Sequence, residues 1–168
     1  MSISMYQTAV PVFVRALSNL KHVLQLGQAH AKEKKVEDSV MLQSRLIADM
    51  LPLVKQVQIA TDMAKNAAAR LAGVDPLKFE DNETTFDELL SRIDRAVDYI
   101  KSFKAEQIDG SETRAITIPA RTGDMTFEGQ AYLLHFVLPN VFFHCTTAYN
   151  ILRVSGANVG KNDFIGKA

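Results

Sequence analysis

Four long stretches of the chain carry apolar side chains at helical spacing, and this pattern constrains the fold more than any other feature of the sequence. The stretches span residues 4–34, 51–72, 84–103 and 129–154. In the first of them, Phe13, Leu17, Leu20 and Leu24 recur every three or four residues and therefore share one face of a helix. Helices of this length with one apolar face are expected to pack together as a four-helix bundle.

Capping residues set the expected helix boundaries. Asp49 is expected to cap the second long helix, with Pro52 in its first turn, and Gly73 is expected to end it. Thr84 or Thr85 is expected to open the third, where two acidic residues follow in the first turn.

The fourth long helix contains a proline. Pro139 has no N–H and should free the carbonyl of His135, so a kink is expected there. The core stripe of this helix is expected to consist of Leu134, Leu138, Val141, Cys145, Ala148 and Leu152.

A short β-structure is expected before the fourth helix. Residues 114–119 alternate in polarity and predict a strand, residues 125–127 predict a second one, and residues 122–124 predict the turn between them. The sequence therefore predicts an all-α fold with a small β-hairpin between the third and fourth long helices.

Composition and length limit the class of protein. The 168 residues correspond to one domain, residues 1–168. Lys plus Arg and Asp plus Glu each number 19, so the chain lacks the basic excess of nucleic-acid-binding proteins. No apolar run reaches the ~18 residues of a membrane span, and the first residues do not resemble a signal peptide. We therefore expect a cytoplasmic protein that binds neither nucleic acid nor membrane.

Charge is distributed unevenly along the chain. Residues 80–98 contain seven acids and two arginines, a net charge of −5, and residues 15–35 contain five bases and one acid, a net charge of +4. We expect two solvated helix faces that attract each other. The alternative is a docking surface for a charged partner.

His144 is the strongest candidate for a functional side chain. Asn140 lies four residues before it and projects from the same helix face, among apolar neighbours. On the second long helix, Gln58 and Asp62 are also four residues apart, beside the apolar stripe. They form either the edge of a solvated face or a polar pocket opposite Asn140 and His144. His144 is then either a core histidine satisfied by a polar neighbour, or a ligand or acid–base group.

The remaining candidates have simpler interpretations. His22 lies on a polar face and is expected at the surface. Cys145 lies on the apolar stripe, about 100° around the helix from His144, and is expected to be a buried structural cysteine. The chain contains no HExxH, GxGxxG, Walker or GxSxG motif. Motifs alone therefore indicate no common class of enzyme.

The chain contains a recognisable set of stretches: RLIADMLP (45–52), QVQIATDMAK (56–65), FEDNE (79–83), LPNVFFH (138–144), LR (152–153) and GKNDFIG (160–166). Together they resemble a bacterial family of unknown function within the DinB/YfiT-like superfamily of metal-dependent four-helix bundles. The resemblance implies an up–down bundle with a long crossover that is often dimeric. It also implies a divalent metal held by three histidines, one on the second helix and two in an HxxxH on the last. Some members are thiol transferases or hydrolase-like enzymes.

In this sequence the resemblance implies a degenerate metal site. His144 falls at the second histidine of the HxxxH and Asn140 at the first, and the ligand on the second helix falls near Gln58, with Asp62 one turn on. His144 is then the surviving ligand of a weakly held nickel or zinc ion, with Asn140, Gln58 or Asp62 as co-ligands. Tyr149 lies in a matching stretch and is included as a pocket residue.

Three function hypotheses follow, one of which is metal-free acid–base chemistry with His144 as the base, oriented by Asp62. Amides are poor zinc ligands, so the first hypothesis expects no cofactor and describes a metal-free protein that binds a small molecule or a partner, with a homodimer as the expected assembly. The alternative is a metal-dependent enzyme of the DinB/YfiT type, a thiol transferase or hydrolase-like enzyme, with His144 as the surviving ligand.

Overall fold

The computed structural model describes residues 3–119 and 123–166. The helices are α1 (Met5–Lys34), α2 (Asp38–Leu42), α3 (Leu53–Leu71), α4 (Phe86–Lys101), α5 (Ala105–Ile108), α6 (Gly129–Ala131), α7 (Leu138–Val154) and α8 (Lys161–Ile165). A π-helical turn, Tyr132–Val137, joins α6 to α7, and β1 (Ala115–Ile118) pairs antiparallel with β2 (Met125–Glu128). The predicted all-α fold with a hairpin between the third and fourth long helices is confirmed. Thr122 of the predicted turn lies outside the described residues.

The four long helices share one apolar core. Helix α1 contacts α4 and α7, and α3 contacts the same two helices. Helix α3 contributes small side chains that are fully buried: Ala60, Ala64, Ala67, Ala68 and Ala69. Gly27 of α1 has a similar role, because a Cβ at this position would lie 2.5 Å from the side chain of Leu152. Small residues at these positions therefore let α7 approach its neighbours closely. In the described part of the chain, no helix is both long and apolar enough to cross a membrane.

Helix starts follow local capping in one case and a distant contact in another. The Thr85 side chain caps α4 in a capping box with Glu88, as predicted. The predicted cap at Asp49 is wrong, because α3 begins at Leu53 with Pro52 as its extended N-cap residue. The N–H of Leu53 donates to the carbonyl of Ser44 at 3.0 Å, which holds the preceding residues in a loop.

The break expected at Pro139 takes the form of a π-helical turn just before it. Within this turn, the N–H at Leu138 donates to the carbonyl of Leu133, five residues earlier. The extra residue shifts the register of the upstream segment, so Leu133 and Val137 are buried. The predicted core position of Leu134 is therefore wrong, and its side chain is 37% exposed.

An aromatic cluster fixes the hairpin to the helices. The Phe127 ring of β2 lies 5.9 Å from the ring of Tyr132 and 5.3 Å from that of Phe136. Tyr132 is fully buried, and its hydroxyl accepts a hydrogen bond from Nη1 of Arg70 at 3.0 Å. Burial raises the pKa of the Tyr132 phenol, which stays protonated. Tyr132 therefore connects the hairpin, the π turn and α3.

The basic segment of α1 faces the acidic segment of α4. Nζ of Lys21 lies 2.6 Å from Oδ1 of Asp94, and Nε2 of Gln28 donates to Oδ1 of Asp87 at 2.8 Å. The Lys21–Asp94 pair is an attraction of the predicted kind, whereas Gln28 is neutral and contributes a hydrogen bond only. A partly exposed ion pair contributes about 0.2–1 kcal/mol, so Lys21–Asp94 adds little to the stability of the packing of α1 against α4.

Candidate functional site

His144 of α7 contacts α3 through a buried glutamine. Its Nδ1 lies 2.7 Å from Oε1 of Gln56, which is 1% exposed. Nε2 of Gln56 donates to the carbonyl of Leu51 at 2.9 Å, so the orientation of the amide is fixed and Oε1 is an acceptor. The Nδ1 of His144 therefore carries the proton, and Nε2 presents its lone pair.

The surroundings of His144 favour the neutral ring. Burial lowers its pKa below the ordinary value of 6.5. The Phe143 ring packs edge-on against it, with 5.2 Å between the ring centroids. A neutral imidazole with one nitrogen held and the other unprotonated can accept a proton, accept a hydrogen bond or coordinate a metal ion.

The side chains of Asn140 and Tyr149 donate hydrogen bonds to backbone carbonyls, and the Tyr149 ring also packs against a neighbour. Nδ2 of Asn140 donates to the carbonyl of Phe136 at 2.6 Å, inside the π turn. The hydroxyl of Tyr149 donates to the carbonyl of Val159 at 3.4 Å, and its ring packs on Phe164. Asn140 thus stabilises the backbone before α7, and Tyr149 holds the segment that follows α7.

Gln58 and Asp62 contact the loop before α4 and α4 itself, not α7. Nε2 of Gln58 donates to Oε2 of Glu83 at 2.8 Å, and Oδ1 of Asp62 accepts from Nη2 of Arg92 at 2.9 Å. Asp62 is a member of a group that we call the α3–α4 ion cluster, and Gln58 contacts this group through Glu83. The cluster consists of Asp62, Lys65, Asp81, Glu83 and Arg92. His144 donates its hydrogen bond to Gln56 instead. One sequence signal could have identified Gln56, because it shares a helix face with Ala60 and Ala64.

The α3–α4 ion cluster is a buried structural feature. Arg92 is 0% exposed and donates to Thr61, Asp62, Glu83 and the carbonyl of Glu80. Lys65 is 2% exposed, and burial lowers the pKa of its ammonium while Asp62 opposes the change. Its Nζ donates to the carbonyl of Leu77 at 2.7 Å. These contacts fix the connection between α3 and α4.

The donors near His144 do not fit the divalent metal implied by the resemblance. They are one imidazole and the amides of Gln56 and Asn140, and both amides already bond to protein groups. Over residues 3–119 and 123–166, no three His, Cys, Asp or Glu side chains lie close enough together to hold a metal ion. Zinc sites in proteins use thiolates, imidazoles and carboxylates, so this set of side chains is a poor match.

Cys145 and His22 behave as predicted from their positions. Burial raises the pKa of the Cys145 thiol to about 12, which makes it unreactive and structural. His22 is exposed, and its Nε2 lies 3.1 Å from Oδ1 of Asp163 in α8. The N–H of Gly160 and the His22 ring both hold the pKa of Asp163 below its ordinary value. The pairing of His22 with Asp163 was missed because it joins residues far apart in the sequence.

The Gln56–His144 hydrogen bond predicts a measurable stability coupling. Replacing His144 by phenylalanine leaves Oε1 of Gln56 buried without its partner, so the free energy of unfolding should fall by about 1–3 kcal/mol. The double variant Gln56→Leu, His144→Phe should lose less than the sum of the two single variants. Urea denaturation of the four proteins measures the coupling. Simple additivity would show that the two side chains do not interact.

The burial of His144 predicts a pH dependence of stability. Because its pKa is lowered in the folded state, the unfolded chain binds more protons below about pH 6.5. Stability should therefore fall as the pH drops through 6.5 toward the folded pKa, and the contribution of His144 to the slope should fade above about pH 7.5. The variant His144→Gln should lose this part of the slope in urea denaturation between about pH 5 and 8, whereas His135→Gln, at an exposed position, should keep it. An unchanged slope in His144→Gln would contradict the assignment.

Comparison with known proteins gives a matching family model and a similar solved structure. Residues 5–165 match the family model "Domain of unknown function (DUF1993)". A crystal structure of a DinB family member from Shewanella denitrificans is 39% identical, with a TM-score of 0.90 over 97% of this chain and 92% of that chain. A comparison with curated proteins gives no significant match.

Proposed function

This chain belongs to the DUF1993 family of unknown function and has the DinB-like fold, and we propose that it is a metal-free protein that binds a small molecule or a partner. The observation that carries the proposal is the set of donors near His144, which consists of one imidazole and two amides that already bond to protein groups. One imidazole nitrogen and two amides make a poor site for a divalent metal. A cytoplasmic location, as expected from the sequence, is part of the proposal.

A second candidate function is supported by the same histidine. Metal-ligating histidines usually donate their other ring N–H to a fixed acceptor, and the Nδ1–H of His144 does so to Gln56. The lone pair of Nε2 is therefore oriented as it would be in a metal ligand. This favours, as the alternative, a metal-dependent enzyme of the DinB/YfiT type, a thiol transferase or hydrolase-like enzyme, with His144 as its surviving ligand.

Metal titration separates the two functions. Zinc and nickel are titrated by calorimetry into tag-free wild-type protein and into His144→Ala, with His22→Ala as the matched control at an exposed histidine. We expect neither zinc nor nickel to bind at a site that requires His144. Stoichiometric binding that His144→Ala abolishes and His22→Ala retains would favour the metal-dependent enzyme and overturn the metal-free proposal.

We also propose that the protein forms a homodimer through the exposed face of α7. Phe143 and Val154 are 55% and 70% exposed on this helix, and Arg153 is its one formally charged residue. Two copies can therefore meet on this face without extensive like-charge repulsion, as a symmetric dimer requires. Phe143→Glu should give a monomer in light scattering after gel filtration, whereas Val40→Glu, at an exposed apolar residue of α2, should stay dimeric. A monomeric wild-type protein would contradict the proposal.

A further inference from the structure

A recess with three basic side chains lies between α3 and the chain segment that follows it. Its lining comes from one face of α3 and from residues 76–79, and its volume is about 330 Å³. Small-molecule sites have volumes of about 300–1,000 Å³, so the recess is large enough for a ligand. Its charged residues are Asp62, Lys65, Arg70 and Lys78, one acid and three bases, which give a formal charge of +2.

The acidic side chain of the recess is already shared by two cations. Oδ1 of Asp62 lies 2.9 Å from Nη2 of Arg92 and 3.2 Å from Nζ of Lys65. Nζ of Lys65 also donates to Oδ1 of Asn66 and to the carbonyl of Leu77, each at 2.7 Å. The ammonium of this buried lysine therefore has its acceptors within the protein, and the charge of Asp62 is balanced by Lys65 and Arg92.

The other two basic side chains of the recess, Arg70 and Lys78, have no acidic partner. Among the residues that the structure describes, no carboxylate forms an ion pair with either of them, although Asp75 lines an adjacent recess with Arg70. Nη1 of Arg70 donates to the hydroxyl of Tyr132, which is neutral because burial raises the pKa of the phenol. This bond uses one of the five N–H groups of the guanidinium and leaves its positive charge unbalanced.

The pKa of Lys65 is consistent with an excess of positive charge at the recess. Burial lowers this pKa most, and Asp62 opposes the change. The guanidinium groups of Arg92 and Arg70 lower it further. Arg92 is paired with the buried carboxylate of Glu83, whereas Arg70 bonds to a neutral hydroxyl only. The repulsion between Arg70 and Lys65 therefore has no acidic side chain at Arg70 to offset it, and a bound anion would relieve it.

We infer that this recess binds a phosphate group, free or as a phosphate monoester, through Arg70 and Lys78. A phosphate dianion balances the formal charge of +2. Nε and Nη2 of Arg70 make no hydrogen bond to the described residues, and such a pair of N–H groups matches two phosphate oxygens, while Lys78 adds a point charge. Leu77 is 51% exposed and lines the same recess, where it can cover the organic part of an ester. This inference rests on the proposed binding function and assigns it a site and a ligand class.

Three probes test the inference by calorimetry at constant ionic strength: inorganic phosphate, phenyl phosphate and benzenesulfonate. At about pH 8 the two phosphates carry close to two negative charges, and the sulfonate carries one. Arg70→Gln and Lys78→Gln each remove one charge from the recess. Lys32→Gln is the control for charge, at an exposed residue in the last turn of α1. Tyr132→Phe is the control for Arg70→Gln, because it removes the same hydrogen bond and keeps the guanidinium. Thermal unfolding checks that each variant is folded.

We expect both phosphates to bind to the wild-type protein, and each to keep its affinity in Lys32→Gln and Tyr132→Phe. Benzenesulfonate should bind at least about tenfold more weakly. Arg70→Gln should weaken the binding of both phosphates at least about tenfold, and Lys78→Gln should weaken it about threefold, because solvent screens the exposed ammonium. Tighter binding of phenyl phosphate than of inorganic phosphate would support an ester as the ligand, and equal affinities would support free phosphate.

Several results would contradict the inference. Equal affinities for benzenesulfonate and the phosphates would overturn the ligand class, and phosphate binding that persists in Arg70→Gln would overturn the location. A loss in Tyr132→Phe as large as that in Arg70→Gln would show that the guanidinium charge is not what binds the anion. No binding of either phosphate would overturn the inference altogether. None of these variants touches His144, so the metal titration tests the proposed function separately.

Discussion

Replacing Arg92 by methionine is expected to lower the free energy of unfolding by about 3–5 kcal/mol. Arg92 is 0% exposed and lies 3.0 Å from Glu83, whose side chain is 4% exposed. Without the guanidinium, the carboxylate of Glu83 loses its buried countercharge, and the side chain of Asp62 loses a hydrogen bond as well. Urea denaturation, followed by circular dichroism, measures the change.

Arg95 provides the matched control for Arg92. It lies one turn further along α4, its side chain is 56% exposed, and its Nη2 is 3.9 Å from Oε1 of Glu83. Both arginines also lie over the Phe79 ring. Arg95→Met should change the stability by less than about 1 kcal/mol, because solvent screens an exposed pair. Equal losses in the two variants would show that burial of Arg92 has no special effect.

Replacing Tyr132 by alanine is expected to cost about 3–5 kcal/mol. The substitution removes a fully buried ring that packs against Phe127 and Phe136, and it leaves Nη1 of Arg70 without its acceptor. The hairpin should detach from the helices in the variant. Urea denaturation measures the loss, and hydrogen exchange of the β1 and β2 amides measures the detachment.

Tyr132→Phe separates the ring from its hydroxyl. This variant keeps the aromatic contacts and loses only the hydrogen bond from Arg70, so its cost should be about 0.5–1.5 kcal/mol. Protected hairpin amides are expected in Tyr132→Phe and exchanging amides in Tyr132→Ala. Protection of the hairpin in both variants would contradict the role of the ring as its anchor.

The sequence predicts the long helices well because their boundaries and faces depend on local chemistry. Apolar spacing identifies each long helix, and the Thr85 capping box lies within four residues of chain. The start of α3 depends instead on the hydrogen bond from the N–H of Leu53 to the carbonyl of Ser44, nine residues earlier. Capping rules cover only the residues next to a helix end, so they do not predict this bond. The π turn likewise moves Leu134 out of the core, since a constant helical period does not allow for an inserted residue.

The sequence identifies the α7 member of the candidate site and selects the wrong residue of α3 as its partner. His144 was identified as a half-buried polar residue, and its α3 partner is Gln56 rather than Gln58. The two glutamines point about 200° apart around α3, so the choice depends on how that helix is rotated against α4 and α7. Packing sets this rotation, and the spacing of polar residues in α3 alone does not reveal it. Arg92 carried a usable signal, because it lies between Leu89 and Ile93 on an apolar stripe.

The most direct test of the metal-free proposal is elemental analysis of tag-free protein purified without chelator. Mass spectrometry of the digested sample gives the ratio of nickel, zinc and iron to protein, with His144→Ala prepared in parallel. We predict that the wild-type protein carries no stoichiometric metal and that the two preparations have the same metal content. Near-stoichiometric metal in the wild-type protein that is lost in His144→Ala would contradict the proposal and assign His144 as a metal ligand.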